Sequence, residues 1–119
     1  MKLQKLPYRL TVAKYKEIPQ SLSGFYSLSS FGEEISLLCE SDRLPAGAIA
    51  MEEGWRAFRV AGTLDFSLVG ILSSLTAVLA EHKIPVFALS TYDTDYLLVK
   101  AAVFDAAAEA FQAAGYQVE

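Results

Sequence analysis

Residues 25–40, slid forward by 61 positions, fall on residues 86–101 with apolar and polar positions coinciding almost throughout. The slide pairs Leu28 with Leu89, Ser29 with Ser90, Phe31 with Tyr92, Glu34 with Asp95 and Leu37 with Leu98. In the same way Leu10-Thr11-Val12-Ala13 resembles Phe58-Arg59-Val60-Ala61, which makes each the opening strand of its copy. An internal repeat constrains a chain more than any local pattern, because it demands two related units and not one arbitrary topology.

The second copy reads clearly. Leu68, Ile71, Leu72, Leu75, Val78 and Leu79 recur at helical spacing, which predicts a helix over 67–82 with one apolar stripe. Asp65 or Ser67 is its expected cap, and Pro85 lies just beyond its end. An alanine-rich helix is expected over 103–114, with Phe104 and Phe111 on one face and Gly115 at the usual C-terminal position. Between them, runs 86–90 and 96–100 form a hairpin joined by Thr91-Tyr92-Asp93-Thr94-Asp95. With a strand at 55–60 and a short one at 116–118, the order is strand, helix, strand, strand, helix, strand. That is the ferredoxin-like βαββαβ unit of the α+β class, in which two helices cover one face of a four-stranded antiparallel sheet.

The first copy is reduced. Pro19 and the short stretch from Tyr15 to Gly24 leave no space for a long helix, and Pro45 and Gly47 stand where the second helix would be. The expected organisation is a mostly β N-terminal module over 1–52 and a complete C-terminal module over 53–119.

Of the 119 residues 53% are apolar and the net charge is −4, which describes a globular protein with no electrostatic footprint for a polyanion. Nucleic acid and anionic membranes are therefore not expected as partners. No signal-peptide core follows Met1, and the most apolar stretch falls short of a membrane span, so a cytoplasmic location is expected. Cys39, the single cysteine, reads as a small buried hydrophobe beside Leu37 and Leu38. One His and one Cys do not make a closed metal site, and the scattered glycines cradle no phosphate, so no cofactor is expected. His82 sits at a helix C-terminus with no nucleophile placed near it by any motif, which argues against an enzyme.

Two segments carry polar groups at the ends of apolar elements. Asp65-Phe66-Ser67-Leu68-Val69-Gly70 is a strand-to-helix turn, and a helix N-terminus offers backbone N–H groups to an anion; Asp65 also suits a plain N-cap. Ser90-Thr91-Tyr92-Asp93-Thr94-Asp95 concentrates carboxylates and hydroxyls, which suit a ligand ammonium as well as a turn. Together the two segments meet the demands of an α-amino acid, one cation and one anion close together.

The order of elements, the Asp65-Phe66-Ser67-Leu68-Val69-Gly70 turn and the run Phe87-Ala88-Leu89-Ser90-Thr91-Tyr92-Asp93-Thr94-Asp95-Tyr96-Leu97-Leu98-Val99 resemble the ACT-domain family. Within it the chain looks like the small tandem proteins related to the regulatory part of aspartate kinase and to ACT-type arginine sensors. The resemblance is strongest over 54–118 and fainter over 10–40, and it departs from many ACT turns in having Phe66-Ser67 where they carry Pro-Gly. It implies a non-enzymatic sensor that binds a free amino acid at an interface between ACT units, forms a homodimer and regulates a partner protein. The implied ligand contacts are Asp65, Phe66, Ser67, Leu68, Val69, Gly70, Ser90, Thr91, Asp93, Thr94 and Asp95. The alternatives are a structural or interaction module that has lost its pocket, and a small lyase or isomerase using Asp93 and Asp95 as acid and base.

Overall fold

The computed structural model describes residues 2–61 and 70–119. The fold is α+β, with strands β1 (Lys2–Lys5), β2 (Leu10–Tyr15), β3 (Tyr26–Phe31), β4 (Glu34–Glu40), β5 (Ala50–Val60), β6 (Phe87–Ser90), β7 (Asp95–Lys100) and β8 (Gln117–Val118). Helices α1 (Ile71–Glu81) and α2 (Phe104–Ala113) lie among the later strands. The chain divides into two compact units, one made of Tyr8–Trp55 and the other of Met1–Pro7 with Arg56–Glu119.

In the Tyr8–Trp55 unit the strand order is β3-β4-β2-β5, with each pairing antiparallel. Alternation along β4 sends Ile35, Leu37 and Cys39 to one face, where they meet Ala13 and Tyr15 of β2. Among the described residues this unit contains no α-helix. Leu22, Leu44 and Ala48, from the two segments that take the place of helices, pack on the face instead. The Tyr15 hydroxyl donates to the Pro45 carbonyl at 2.6 Å and ties the second of these segments down. Only a 3-10 turn, Ser41–Arg43, follows β4 before Pro45 and Gly47 interrupt any helix.

The other unit holds both helices. Leu75 and Leu79 of α1 are fully buried, with Ile71, Leu72 and Val78 partly buried beside them, so these members of the apolar stripe read from the sequence form the face that packs, while Leu68 lies outside the described residues. Its partners are Leu3, Phe58, Val60, Leu97 and Val99 from the strands and Phe104, Ala107, Ala108 and Phe111 from α2. The small alanines let α2 approach closely. Phe58 stacks on Phe104 at 4.4 Å between ring centroids and meets Phe111 edge-on at 5.3 Å.

Three details differ from the sequence expectation. The sheet of this unit is mixed, since β1 pairs antiparallel with β5 and β8 pairs parallel with β1. Lys2–Lys5, where the sequence reading placed no strand, lies between β5 and β8, buries Leu3 and accepts the Glu119 N–H at the Leu3 carbonyl at 2.9 Å. Second, α1 begins at Ile71 with Gly70, at φ 80°, in the cap position, and the expected caps Asp65 and Ser67 lie outside the described residues. Third, the 61-residue slide holds from β4 to β7 but not from β3 to β6. Leu37 pairs with Leu28, whereas Leu98 pairs with Phe87 and not with the Leu89 that the slide requires.

Candidate functional site

The β6–β7 hairpin positions the second polar segment. Phe87 pairs with Leu98 and Ser90 with Asp95, so Ser90 and Asp95 end their strands directly opposite one another. The Ser90 hydroxyl donates to Asp95 Oδ1 at 2.5 Å, a short charge-assisted bond. Asp95 is half-buried, while Ser90, Thr91, Tyr92 and Asp93 are exposed.

The turn is closed by Thr91 and Thr94. The Thr91 N–H and hydroxyl both donate to the Thr94 carbonyl, at 2.8 and 3.0 Å, and the Thr94 N–H reaches back to Thr91 Oγ1 at 3.4 Å. Thr94 itself is 3% exposed, and its hydroxyl donates to the Val60 carbonyl at 2.7 Å. That bond fixes the turn to the end of β5. It also commits a hydroxyl that the sequence reading assigned to a ligand.

Of the residues expected to bind, the structure brings Ser90, Thr91, Asp93, Thr94 and Asp95 into one turn. Gly70 stands at the N-cap of α1, exposed, with its carbonyl accepting the Ser74 N–H at 2.9 Å. Asp65, Phe66, Ser67, Leu68 and Val69 lie outside the described residues. What the arrangement offers chemically is a carboxylate oriented by a hydroxyl, next to an exposed second carboxylate, Asp93. Such a pair suits an ammonium group.

The sequence reading missed Arg56. Its guanidinium lies 4.1 Å from the Phe104 ring centroid, and Nη2 donates to the Leu6 carbonyl at 3.0 Å. Nε is buried and finds no acceptor among the described residues. The available signal was an arginine standing inside the apolar run Trp55 to Val60.

Among the described residues no three His, Cys, Asp or Glu side chains gather where they would hold a metal ion, and no helix is long and apolar enough to cross a membrane.

The sequence signature of the ACT domain matches residues 50–113. No protein of curated function matches the chain. The X-ray structure of an Agobacterium tumefaciens protein superposes with a TM-score of 0.88 at 29% identity, covering 99% of this chain and 91% of that one. A Vibrio cholerae protein, described as a possible transport protein, superposes at 0.70 with 14% identity over 94% of this chain and 88% of its own. Clostridium acetobutylicum aspartate kinase, described as an allosteric enzyme, gives 0.69 at 14% identity over 94% of this chain but 33% of the kinase. The last two likenesses are of fold alone.

Proposed function

The chain belongs to the ACT-domain family, and from that premise we propose that it is a non-enzymatic cytoplasmic sensor of a free amino acid. The ligand ammonium is held by Asp95, with Asp93 nearby, and the ligand carboxylate is taken by the residues leading into α1, Asp65 to Gly70. Two copies form a homodimer, and ligand occupancy is passed to a regulated partner protein. Coupling is reciprocal: whatever ligand tightens the dimer or the partner contact binds tighter in that state.

One observation carries this reading. Asp95 is a half-buried carboxylate held in place by the Ser90 hydroxyl at a hairpin end, and a pre-oriented acceptor loses little entropy on meeting a cation. A specific observation favours the second reading, a module that keeps the fold without a ligand. Thr94 is committed to Val60, Thr91 to Thr94 and Ser90 to Asp95, so the turn satisfies much of its own polarity.

Thermal melts with each amino acid in turn separate the two. A ligand at 100 times its Kd raises stability by about 2.7 kcal/mol, and silence from all of them at millimolar concentration favours the ligand-free module. For a binder, Asp95→Ala is expected to weaken affinity by about 2 to 5 kcal/mol in calorimetry, the scale for leaving a buried charge unpartnered. Lost stability with unchanged affinity would make Asp95 a turn residue only.

A further inference from the structure

We propose that β1 and β8 compete for one place beside β5, so that Lys2–Lys5 is a displaceable strand and residues 117–119 close the sheet when it leaves. Direction permits this. Strand β1 runs antiparallel to β5 and parallel to β8, so β8 already runs antiparallel to β5. Register permits it too. Leu3 lies between Val60 and Val118, and Lys2 pairs with Gln117. The Glu119 N–H donates to the Leu3 carbonyl at 2.9 Å and the Glu119 carbonyl accepts the Lys5 N–H at 2.7 Å, which sets Glu119 beside Gln4. A sideways step of one strand, about 4.8 Å, therefore carries Val118 into the place of Leu3 and Glu119 into the place of Gln4, with each side chain on the face it already occupies. Gly115, at φ 99° between α2 and β8, gives the connection freedom for that step.

The exchange replaces like with like. Val118 already packs against the core cluster that holds Leu3. Glu119 arrives opposite Arg59, whose Nη1 now donates to the neutral Gln4 Oε1 at 3.2 Å, so a hydrogen bond becomes an ion pair. The Lys2–Glu119 pair at 2.9 Å is given up, but its side chains are 45% and 56% exposed, where ion pairs stabilise little. Of the four side chains of β1 only Leu3 is buried, so its departure uncovers little apolar area. The present arrangement keeps two ladders, β1 with β5 and β1 with β8, where the exchanged one keeps a single ladder, so the exchanged form is the minor one. Val60, opposite Leu3, also accepts the Thr94 hydroxyl at 2.7 Å, so the turn of the candidate site and the displaceable strand meet on one residue of β5. The exchange itself requires no ligand.

The test is a disulfide trap in the full chain without ligand. Arg59→Cys with Glu119→Cys sets two thiols on strands two apart in the present sheet, roughly 10 Å between Cα atoms and beyond disulfide reach, but about 5.5 Å apart after the exchange. Arg59→Cys with Gln117→Cys is the control, off register in both arrangements and closing through the unfolded chain at nearly the same rate as the first pair. Under mild oxidation, with the bond located by peptide mass because buried Cys39 is retained, the first pair is expected to close at least about tenfold faster than the control. Adding Leu3→Asp, which sets a carboxylate on the core face of β1, is expected to speed the first pair by about tenfold more, with the chain still folded in a thermal melt because Val118 fills the vacated place. Equal rates for the two pairs would overturn the exchange, as would a first-pair rate unmoved by Leu3→Asp in a folded chain. If Leu3→Asp fails to fold, the two pairs with β1 unaltered decide alone. Amino-acid binding is read by melts of the wild-type chain, so it and the strand exchange fail separately.

Discussion

Lys83 and Gly115 hold the same position at the ends of α1 and α2, both at positive φ, 56° and 99°. The bonding around them is also the same. Lys83 N–H donates to the Ala80 carbonyl and Ile84 N–H to Leu79, both at 3.0 Å; Gly115 N–H donates to Gln112 and Tyr116 N–H to Phe111, again at 3.0 Å. Each helix therefore closes with a paired terminal motif that needs a left-handed residue, and glycine meets that need without steric cost whereas lysine does not.

Lys83→Gly is expected to stabilise the protein by about 0.5 to 1 kcal/mol, the left-handed cost relieved minus the extra chain entropy of glycine. Gly115→Ala should do the reverse, by about 1 to 2 kcal/mol. Urea unfolding of both variants checks the pair. Opposite signs confirm the shared motif, while a loss in both would mean that the Lys83 side chain supplies something its backbone position does not explain.

Thr94→Val keeps the shape of a buried side chain and removes the donor to the Val60 carbonyl. The expected cost is about 1 to 3 kcal/mol, since a buried acceptor is left unsatisfied. Thr94→Ser retains the hydroxyl and loses one methyl, so it should fall between wild type and the valine variant. Unchanged stability in Thr94→Val together with lost amino-acid affinity would move Thr94 from the framework of the turn to the ligand.

Gly24 is held at φ 74°, and a Cβ there would overlap the Glu40 carboxylate and come within 2.8 Å of Arg43 Cδ. The same Glu40 oxygen accepts the Phe25 N–H at 2.9 Å, so it cannot simply move away. Gly24→Ala should cost about 1 to 3 kcal/mol. Repeating it on a Glu40→Ala background should recover the part due to overlap, leaving only the backbone penalty. Additive losses would show that Glu40 is not what fills the space.

The elements legible in the sequence are those with a long period. The stripe Leu75, Leu79 with Ile71, Leu72 and Val78, and the alternation Leu97, Val99 against Leu98, stated their own secondary structure. Strand β1 was not legible, because in Lys2–Lys5 only Leu3 is buried and one apolar residue makes no pattern. Nor was the offset between hairpins. A shift of two residues leaves every side chain on its own face, so Leu89 and Phe87 were equally good partners for Leu98 until the turn lengths were seen. At the candidate site, the pairing of Ser90 with Asp95 belongs to that same offset, so Asp95 read as a turn residue and not as the start of β7, and the burial of Thr94 depends on where β5 lies. No local pattern carries that information.

The remaining prediction concerns alkaline pH. Burial pushes the Tyr15 phenol up, with the neighbouring Cys39 adding to it, and burial with the Glu40 charge pushes the Cys39 thiol up. Both groups are neutral when protonated, so the folded state keeps a proton where the unfolded chain has released it. Their contribution is then fully present below the unfolded thiol's value, about 8.5, and is lost as pH rises through the higher folded values. Tyr15 adds a specific reason, since a phenolate cannot donate to the Pro45 carbonyl. Urea unfolding between pH 7 and 11 should show stability falling above about pH 8.5, first through the thiol and then through the phenol. Cys39→Ala should flatten the earlier part of the fall and Tyr15→Phe the later part, and native Cys39 should react slowly with a thiol reagent at pH 8. A curve unchanged by both substitutions would place the alkaline sensitivity elsewhere and show that these two groups are solvated in the folded chain.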